Sequence, residues 1–483
     1  MSSCRGAHSR RARSGLRRLI LTGGALAMGV LIAGCRSLGP TLRADAACVR
    51  SDAGARIGAA IESPDACFDA QLAVLLQGEL AEDAAIRIAL VNNRTVAAEY
   101  ERLGIARAEL VQAGLLTNPV LDGDIKFFES AEEIELKLSQ PFLDLFFIPL
   151  RTRIARAELS ARKAEVTGVL VRVAFDVRRA FVTVRSAQQA LDLRQQSLKA
   201  AEASRDLMRR LFDAGNVKAG ELTLEEGGVA DAKLALASAE LAEREAREPM
   251  NVLLGVWGQN TQWRVSGRLS EGLGEGFNPE DIENRAIASS LDLAEARCHL
   301  QATAERAGIS TWEGVFPTGE AGVAAKQETS GEWGVGPAAA VSIPIFDSGA
   351  ARAAVARATL REQSARYAAL AVEIRSAARV FRERSTALRD RAIYVRQVML
   401  PLRSRLVRET LQSFNAMQIG AFDVLRARQD EADAGGEFVE TLRDAWLARL
   451  DLAELLAGSL NRDRLGAMSH DEGSGVRRSE KEH

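Results

Sequence analysis

Two stretches of this chain hold almost nothing that ends a helix. From Arg151 to Ala214 the one helix-weakening residue is Gly168, and there is no proline. From Ala350 to Ile419 there is no glycine, and Pro401 is the only proline. An unbroken helix over the first stretch would run ~95 Å at 1.5 Å per residue, longer than a compact domain is wide. Such helices must project and find their stability in packing along their length. Alanines among leucines and valines let helices approach closely, and flanking arginines and glutamates suit the rims of coiled coils. The reading is a mainly α chain with a small β part. A cytoplasmic coiled-coil rod has the same helices, but the export signal expected at the amino terminus and the strands argue against it.

Composition removes other classes. The 483 residues are 47% hydrophobic, 27% charged and carry a formal net charge of -2. That excludes a disordered chain and a nucleic-acid binder driven by bulk positive charge. The four histidines, His8, His299, His470 and His483, are scattered. Cys48, Cys67 and Cys298 lack zinc-site spacing. No Gly-rich phosphate loop, nucleophile elbow or carboxylate–histidine constellation is present, so no catalytic, cofactor or metal residue is expected.

The organisation reads as an internal duplication. Ser139, Pro141 and Asp144 recur as Ser342, Pro344 and Asp347, each 203 positions later. Pro119 pairs with Pro317, and Arg179-Ala180-Phe181 with Arg379-Val380-Phe381. Each copy runs helix, strand pair, very long helix, turn, helix. The division is 1–34 as a signal segment, 35–82 as an N-terminal segment, 83–257 and 281–460 as the two repeats, 258–280 as an irregular connector, and 461–483 as a polar tail. Asn278-Pro279-Glu280-Asp281 is expected to restart a helix, with asparagine as its cap.

The strands alternate. Leu121, Ile125, Phe127, Ile134, Leu136 and Leu138 fall on one face, and Asp122, Asp124, Lys126, Glu133, Glu135 and Lys137 on the other. Glu129-Ser130-Ala131-Glu132 reads as the turn between them. In the second copy Val335, Ala339, Val341, Ile343 and Ile345 share a face. Strands of this kind suit a transmembrane barrel around water, and half-buried strands of a soluble sheet give the same alternation. Pro141 and Pro344 mark strand ends, because proline cannot donate to a ladder.

Residues 1–34 hold six arginines and no acid, followed by an apolar stretch from Leu19 to Ala33 that is short for a membrane span. The stretch ends in Leu31-Ile32-Ala33-Gly34-Cys35, which resembles a lipoprotein lipobox. Cys35 would then be acylated and begin the mature chain, with Arg36 after it favouring the outer membrane. In an oxidising compartment Cys48 and Cys67, in the segment before the first helix, are expected to pair across a loop of roughly 20 residues, worth ~3 kcal/mol. The alternative leaves both reduced.

Taken together, Ala106–Pro119, the two Ser-x-Pro-x-x-Asp strand exits, Leu400-Pro401-Leu402 and Ile419–Leu425 resemble the TolC-type outer-membrane efflux factors over roughly 83–460. The resemblance implies a homotrimer with a shared twelve-stranded barrel in outer-membrane lipid, continued by a periplasmic helical barrel. It also implies a periplasmic membrane-fusion adaptor and an inner-membrane pump of the RND type as partners. The duct would be passive and export small molecules, drugs or metal ions. Gly215 and Gly420 at the two helix reversals would be the adaptor-docking tips. Asp423 matches the first acid of a family pair that rings the periplasmic gate, and Arg426 stands where the second acid would be. Three Asp423 side chains would repel one another, or an Asp423–Arg426 pair would neutralise the ring. Two other readings share the architecture: the exit duct of a type I protein-secretion system, and a non-conducting structural coiled-coil lipoprotein.

Overall fold

The computed structural model describes residues 39–62, 72, 75, 76, 78–128, 131–265, 267–273, 281–315, 319–327, 330–342, 345, 346 and 349–465. Cys35, Cys67, Asn278, Pro279, Glu280, Pro317, Ile343, Pro344 and Asp347 lie outside these residues. So do the signal segment and most of the tail expected at 461–483.

The elements are α1 (Gly39–Ile57), β1 (Glu79–Leu80), α2 (Glu82–Asn92), α3 (Arg94–Ala113), β2 (Val120–Phe128), β3 (Ala131–Pro141), α4 (Asp144–Asp213) and α5 (Ala219–Leu254). A short 3₁₀ turn and β4 (Arg264–Val265) follow. Then come α6 (Ile282–Ser289), α7 (Leu291–Val315), β5 (Gly319–Gln327), β6 (Trp333–Val341), α8 (Ala350–Tyr394), a π-helical turn (Val395–Met399), α9 (Leu400–Asn415) and α10 (Ala421–Ala457). The order of two short helices, two strands, a very long helix and a return helix therefore occurs twice.

α4 is 70 residues long and passes through Pro149. It starts seven residues before the Arg151 expected from the sequence. Pro149 sits in the second turn, where few backbone bonds have yet formed behind it. In the second copy the long helix is broken where Pro401 demands it. Leu400 donates its N–H to the Val395 carbonyl, five residues back, so the chain widens into a π turn just before the proline.

Four more expectations change. Cys48 does not precede the first helix: it lies inside α1, whose Val49, Ala53 and Ile57 are buried against the rest. The second repeat restarts at Ile282, with Asp281 rather than Asn278 in the cap position. The connector is less irregular than its glycines suggest, because β4 pairs in parallel with β1 and anchors the buried Trp263 beside it. β6 ends at Val341, which leaves Ile345 beyond the sheet.

One core joins α1, α2, α3 and the end of α5 around the middle of α4, with Leu170, Val177 and Phe181 at its centre. A second unites α6, α8 and the end of α10 around Ile374 and Phe381, the counterpart of Phe181 in the repeat alignment. A third packs connector residues Leu269 and Leu273 against Ala392, Val395, Phe438 and Leu442. The return helices end alike. Asn92 and Asn93, at the break between α2 and α3, donate to the Leu253, Leu254 and Gly255 carbonyls that end α5. At the break between α6 and α7, Leu291 N–H donates to the Gly458 carbonyl that ends α10.

Candidate functional site

The four main strands form one antiparallel sheet in the order β2-β3-β5-β6. Cross-strand partners share a face, so the register tests the alternation. Leu121 faces Leu138, Ile125 faces Ile134, Leu138 faces Val323, and Ala325 faces Val335. Much of the apolar face is open: Phe127, Leu121 and Val335 are 75%, 70% and 71% exposed. A soluble sheet would have covered it, since burial of such side chains is what stabilises the fold. Phe127 and Trp333 stand at the hairpin end of this sheet, and Phe142, Phe146 and Phe346 are exposed around its other end. That is the placement of aromatic girdles at two membrane interfaces.

The opposite face is charged. Lys126 pairs with Asp124 at 3.3 Å, Lys137 with Glu320 at 3.9 Å, and Lys326 with Glu133. Asp122 and Glu135 form no ion pair among the described residues, so the face stays net acidic. Across β5 and β6 the same face carries Gly322, Ala324, Gly334, Gly336, Ala338 and Ala340 and is nearly bare. Gly322 is required by packing: a Cβ there would lie 2.1 Å from the Leu138 carbonyl oxygen.

At the far ends of the long helices the two reversals match bond for bond. Gly215 N–H donates to Phe212 and Asn216 N–H to Leu211; Met417 N–H donates to Phe414 and Gln418 N–H to Ser413. Gly215 and Met417 both hold a left-handed backbone, at φ 75° and 58°. The structural counterpart of Gly215 is therefore Met417, not Gly420. Gly420 is extended, at φ -81°, and caps α10 as Lys218 caps α5. Sequence reasoning missed Met417 because methionine carries no left-handed signal; its side chain is 94% exposed at the extreme tip. Asp423 and Arg426 are both exposed on the first turns of α10 and form no ion pair with each other among the described residues. Arg426 instead lines the gap between α5 and α10, beside Gly220, Leu224 and Asp231.

Between sheet and tips, one buried joint ties the two repeats. Arg179 of α4 donates to Glu454 at 2.7 Å and Asp451 at 3.2 Å on α10, and to Asp176 at 2.7 Å on its own helix. One guanidinium serves three carboxylates, of which Glu454 and Asp451 are buried and Asp176 is half-buried. Burial pushes Glu454 up to about 7, against the pull of Arg179 and with the help of the neighbouring Asp176 and Asp451. Beside it, Arg56 of α1 donates to the Ser289 and Ala457 carbonyls, so α1 clasps both repeats. Cys48 is an exposed thiol and Cys298 a half-buried one. Among the described residues no group of acids, histidines and cysteines is arranged to hold a metal, and no helix is long and apolar enough to cross a membrane.

A sheet that is apolar on one face and charged on the other, set on helices this long, is the fold of the TolC-type outer-membrane channel proteins. CusC, from crystal structures concerned with folding and transmembrane channel formation, superposes with a TM-score of 0.69 at 16% identity, over 79% of this chain and 93% of that one. The CmeC outer membrane channel of Campylobacter jejuni gives 0.64 at 13% identity, over 79% and 86%. The open state of the MtrE outer membrane channel of Neisseria gonorrhoeae gives 0.61 at 17%, over 78% and 89%. Residues 85–256 match the model of the outer membrane efflux protein family. The family and these structural neighbours are channel proteins, not enzymes.

Proposed function

We propose that the chain is the outer-membrane channel subunit of a tripartite efflux system, a passive duct for small molecules. The observation that carries this is the open sheet. Four strands leave β2 and β6 as unpaired edges under an apolar face, and lipid tolerates no open edge. Copies of the chain must pair edge to edge until the barrel closes, and three copies give the twelve-stranded homotrimer. The long helices then extend into the periplasm. Their tips, at Gly215, Met417 and Gly420, meet a membrane-fusion adaptor, and an inner-membrane pump of the RND type supplies the energy. Asp423 rings the narrowed entrance.

Lipid anchoring at Cys35 would give each chain a second attachment to the same membrane, beside the barrel. Reconstitution of the purified trimer into planar bilayers tests the reading: discrete conductance steps are expected. A trimer that inserts without conducting leaves only the structural lipoprotein. Export of a whole protein, rather than a small solute, by cells carrying the duct would establish the type I secretion reading instead.

A further inference from the structure

Two helix breaks in this chain follow one plan and are completed by different residues. Asn93 ends α2 at φ -68°, ψ 121°, and Ser290 ends α6 at φ -61°, ψ 118°. Each break abuts the carboxyl end of a return helix, and that helix turns off through a left-handed glycine, Gly255 after α5 and Gly458 after α10. The last carbonyls of a helix have no partner within it and need donors from elsewhere. At the first break the donors are local. Asn92 donates to the Leu254 and Gly255 carbonyls at 2.8 and 3.0 Å, and Asn93 to the Leu253 carbonyl at 3.0 Å.

At the second break the matching residues are Ser289 and Ser290, and both hydroxyls are committed to their own helices. Ser290 accepts from the Leu293 N–H at 3.1 Å, and Ser289 donates back to the Ala286 carbonyl at 3.4 Å. The donor comes from α1 instead. Arg56 Nη1 donates to the Ser289 carbonyl at 2.7 Å and to the Ala457 carbonyl at 2.9 Å, while its Nε donates to Asp52 at 3.1 Å. The glycines show that the two donors occupy one place. A Cβ on Gly255 would lie 3.2 Å from the Asn92 amide nitrogen, and one on Gly458 2.6 Å from Arg56 Nη1. A guanidinium suits this place, since the carboxyl ends of α6 and α10 both present the negative ends of their dipoles to it. α1 itself is seated elsewhere. Val49, Ala53 and Ile57 are buried in the core around α4, Asp45 pairs with Lys163 at 2.7 Å and with Arg107 at 2.5 Å, and Arg178 of α4 donates to the Ile57 carbonyl.

We propose that α1 is a clamp acting across the molecule. Arg56 does at the second break what Asn92 does at the first, so the junction of α6, α7 and α10 closes only when α1 is docked on α3 and α4. Docking of residues 39–57 is then a step of assembly in its own right. It ties the core around α4 to the base of α10, the helix whose other end carries Asp423. The inference goes beyond the duct reading and takes nothing from it.

Hydrogen–deuterium exchange on the full-length protein in lipid vesicles tests it. Arg56→Met keeps the length of the stem and removes the donors. In this variant the amides of 289–293 and 456–460 are expected to exchange about 10- to 100-fold faster, as hydrogen bonds from a charged group are lost. Amides of 92–96 and 253–257 at the first break are expected to keep their rates. Adding Ser289→Asn to Arg56→Met gives the second break the amide that the first one has, and exchange there is expected to slow again by about 10-fold or more. Unchanged exchange at the second break in Arg56→Met would overturn the proposal. Equal acceleration at both breaks would overturn it too, because Arg56 would then be an ordinary stabiliser of the whole chain. A double variant that exchanges as fast as Arg56→Met sinks the idea that the arginine stands in for an asparagine. Should Arg56→Met fail to fold, the double variant must restore folding, and failure of both rejects the clamp. Exchange is read without conduction, so silent bilayers would fail the channel reading and leave the clamp standing.

Discussion

At the scale of single residues, the Arg179 joint sets a pH dependence whose sign follows from Glu454. Its carboxyl has an ordinary value of 4.5 and is pushed up to about 7 by burial. The folded chain therefore holds this proton more tightly than the unfolded chain does. The stabilisation is complete below about 4.5 and is lost as pH rises through about 7. Glu295 on α7 adds to the same slope, since burial and then the neighbouring Glu165 and Asp292 push it up to about 7 as well. The joint is held from every side by charge, with Asp176 and Arg179 on α4 and Asp451 on α10. We expect Glu454→Gln, which mimics the protonated form, to match the unaltered protein near pH 5 and to exceed it at pH 8 by on the order of 2 kcal/mol. Thermal unfolding followed by circular dichroism across that range checks it, and an equal offset at both pH values would show that Glu454 stays ionised. Arg179→Ala should be far worse, costing about 3–5 kcal/mol, because it strands the buried carboxylates of Glu454 and Asp451 without their ion-pair partner.

At the scale of elements, the sheet was legible in the sequence and much of its helical support was not. Period-two alternation is a backbone property, so Leu121 to Phe127 and Ile134 to Leu138 declared their faces directly. What alternation left open was whether the chain covers its own apolar face, and it does not: Leu121, Ile125 and Phe127 are exposed. A lipid-facing charge is the check. Ile125 faces Ile134 near the middle of the β2–β3 pair, so Ile125→Arg should cost about 2–4 kcal/mol and deplete trimer from outer-membrane fractions. Asp124→Arg, one residue away on the other face, should leave trimer yield unchanged. Equal losses on heat-modifiable gels would mean that both faces are wet. α1 was hard to read because its buried stripe, Asp45, Val49, Ala53 and Ile57, holds only two large apolar side chains and opens with an aspartate held by Lys163 at 2.7 Å and by Arg107. The π turn was half legible: Pro401 announced a fault, but whether a helix kinks, ends or widens depends on the packing of Val395 and Met399.

At the scale of the whole molecule, the two successions of paired helices, paired strands and long hairpin are alike in order and differ in the continuity of their long helices. The outgoing helix of the first hairpin is continuous, and that of the second is interrupted by the π turn; each return helix opens with an acid, Glu221 on α5 and Asp423 on α10, that forms no ion pair among the described residues. The sequence offered two futures for Asp423, a repelling ring or a local pair with Arg426. Within the chain the pair does not form, since Arg426 is turned to the gap beside Gly220, Leu224 and Asp231. In the proposed trimer the threefold axis then brings three exposed carboxylates toward one constriction. Like charges a few ångströms apart in a narrow, partly dry opening repel, hold it under strain and draw in cations. Asp423→Ala should therefore raise the conductance of the closed trimer and weaken its preference for cations, with the effect shrinking at high salt as the charges are screened. Arg426→Ala should alter neither selectivity nor its salt dependence, because its charge faces the groove between α5 and α10. Single-channel recordings at low and high potassium chloride separate the outcomes. If Asp423→Ala leaves both conductance and selectivity unchanged, the aspartate does no more than start its helix.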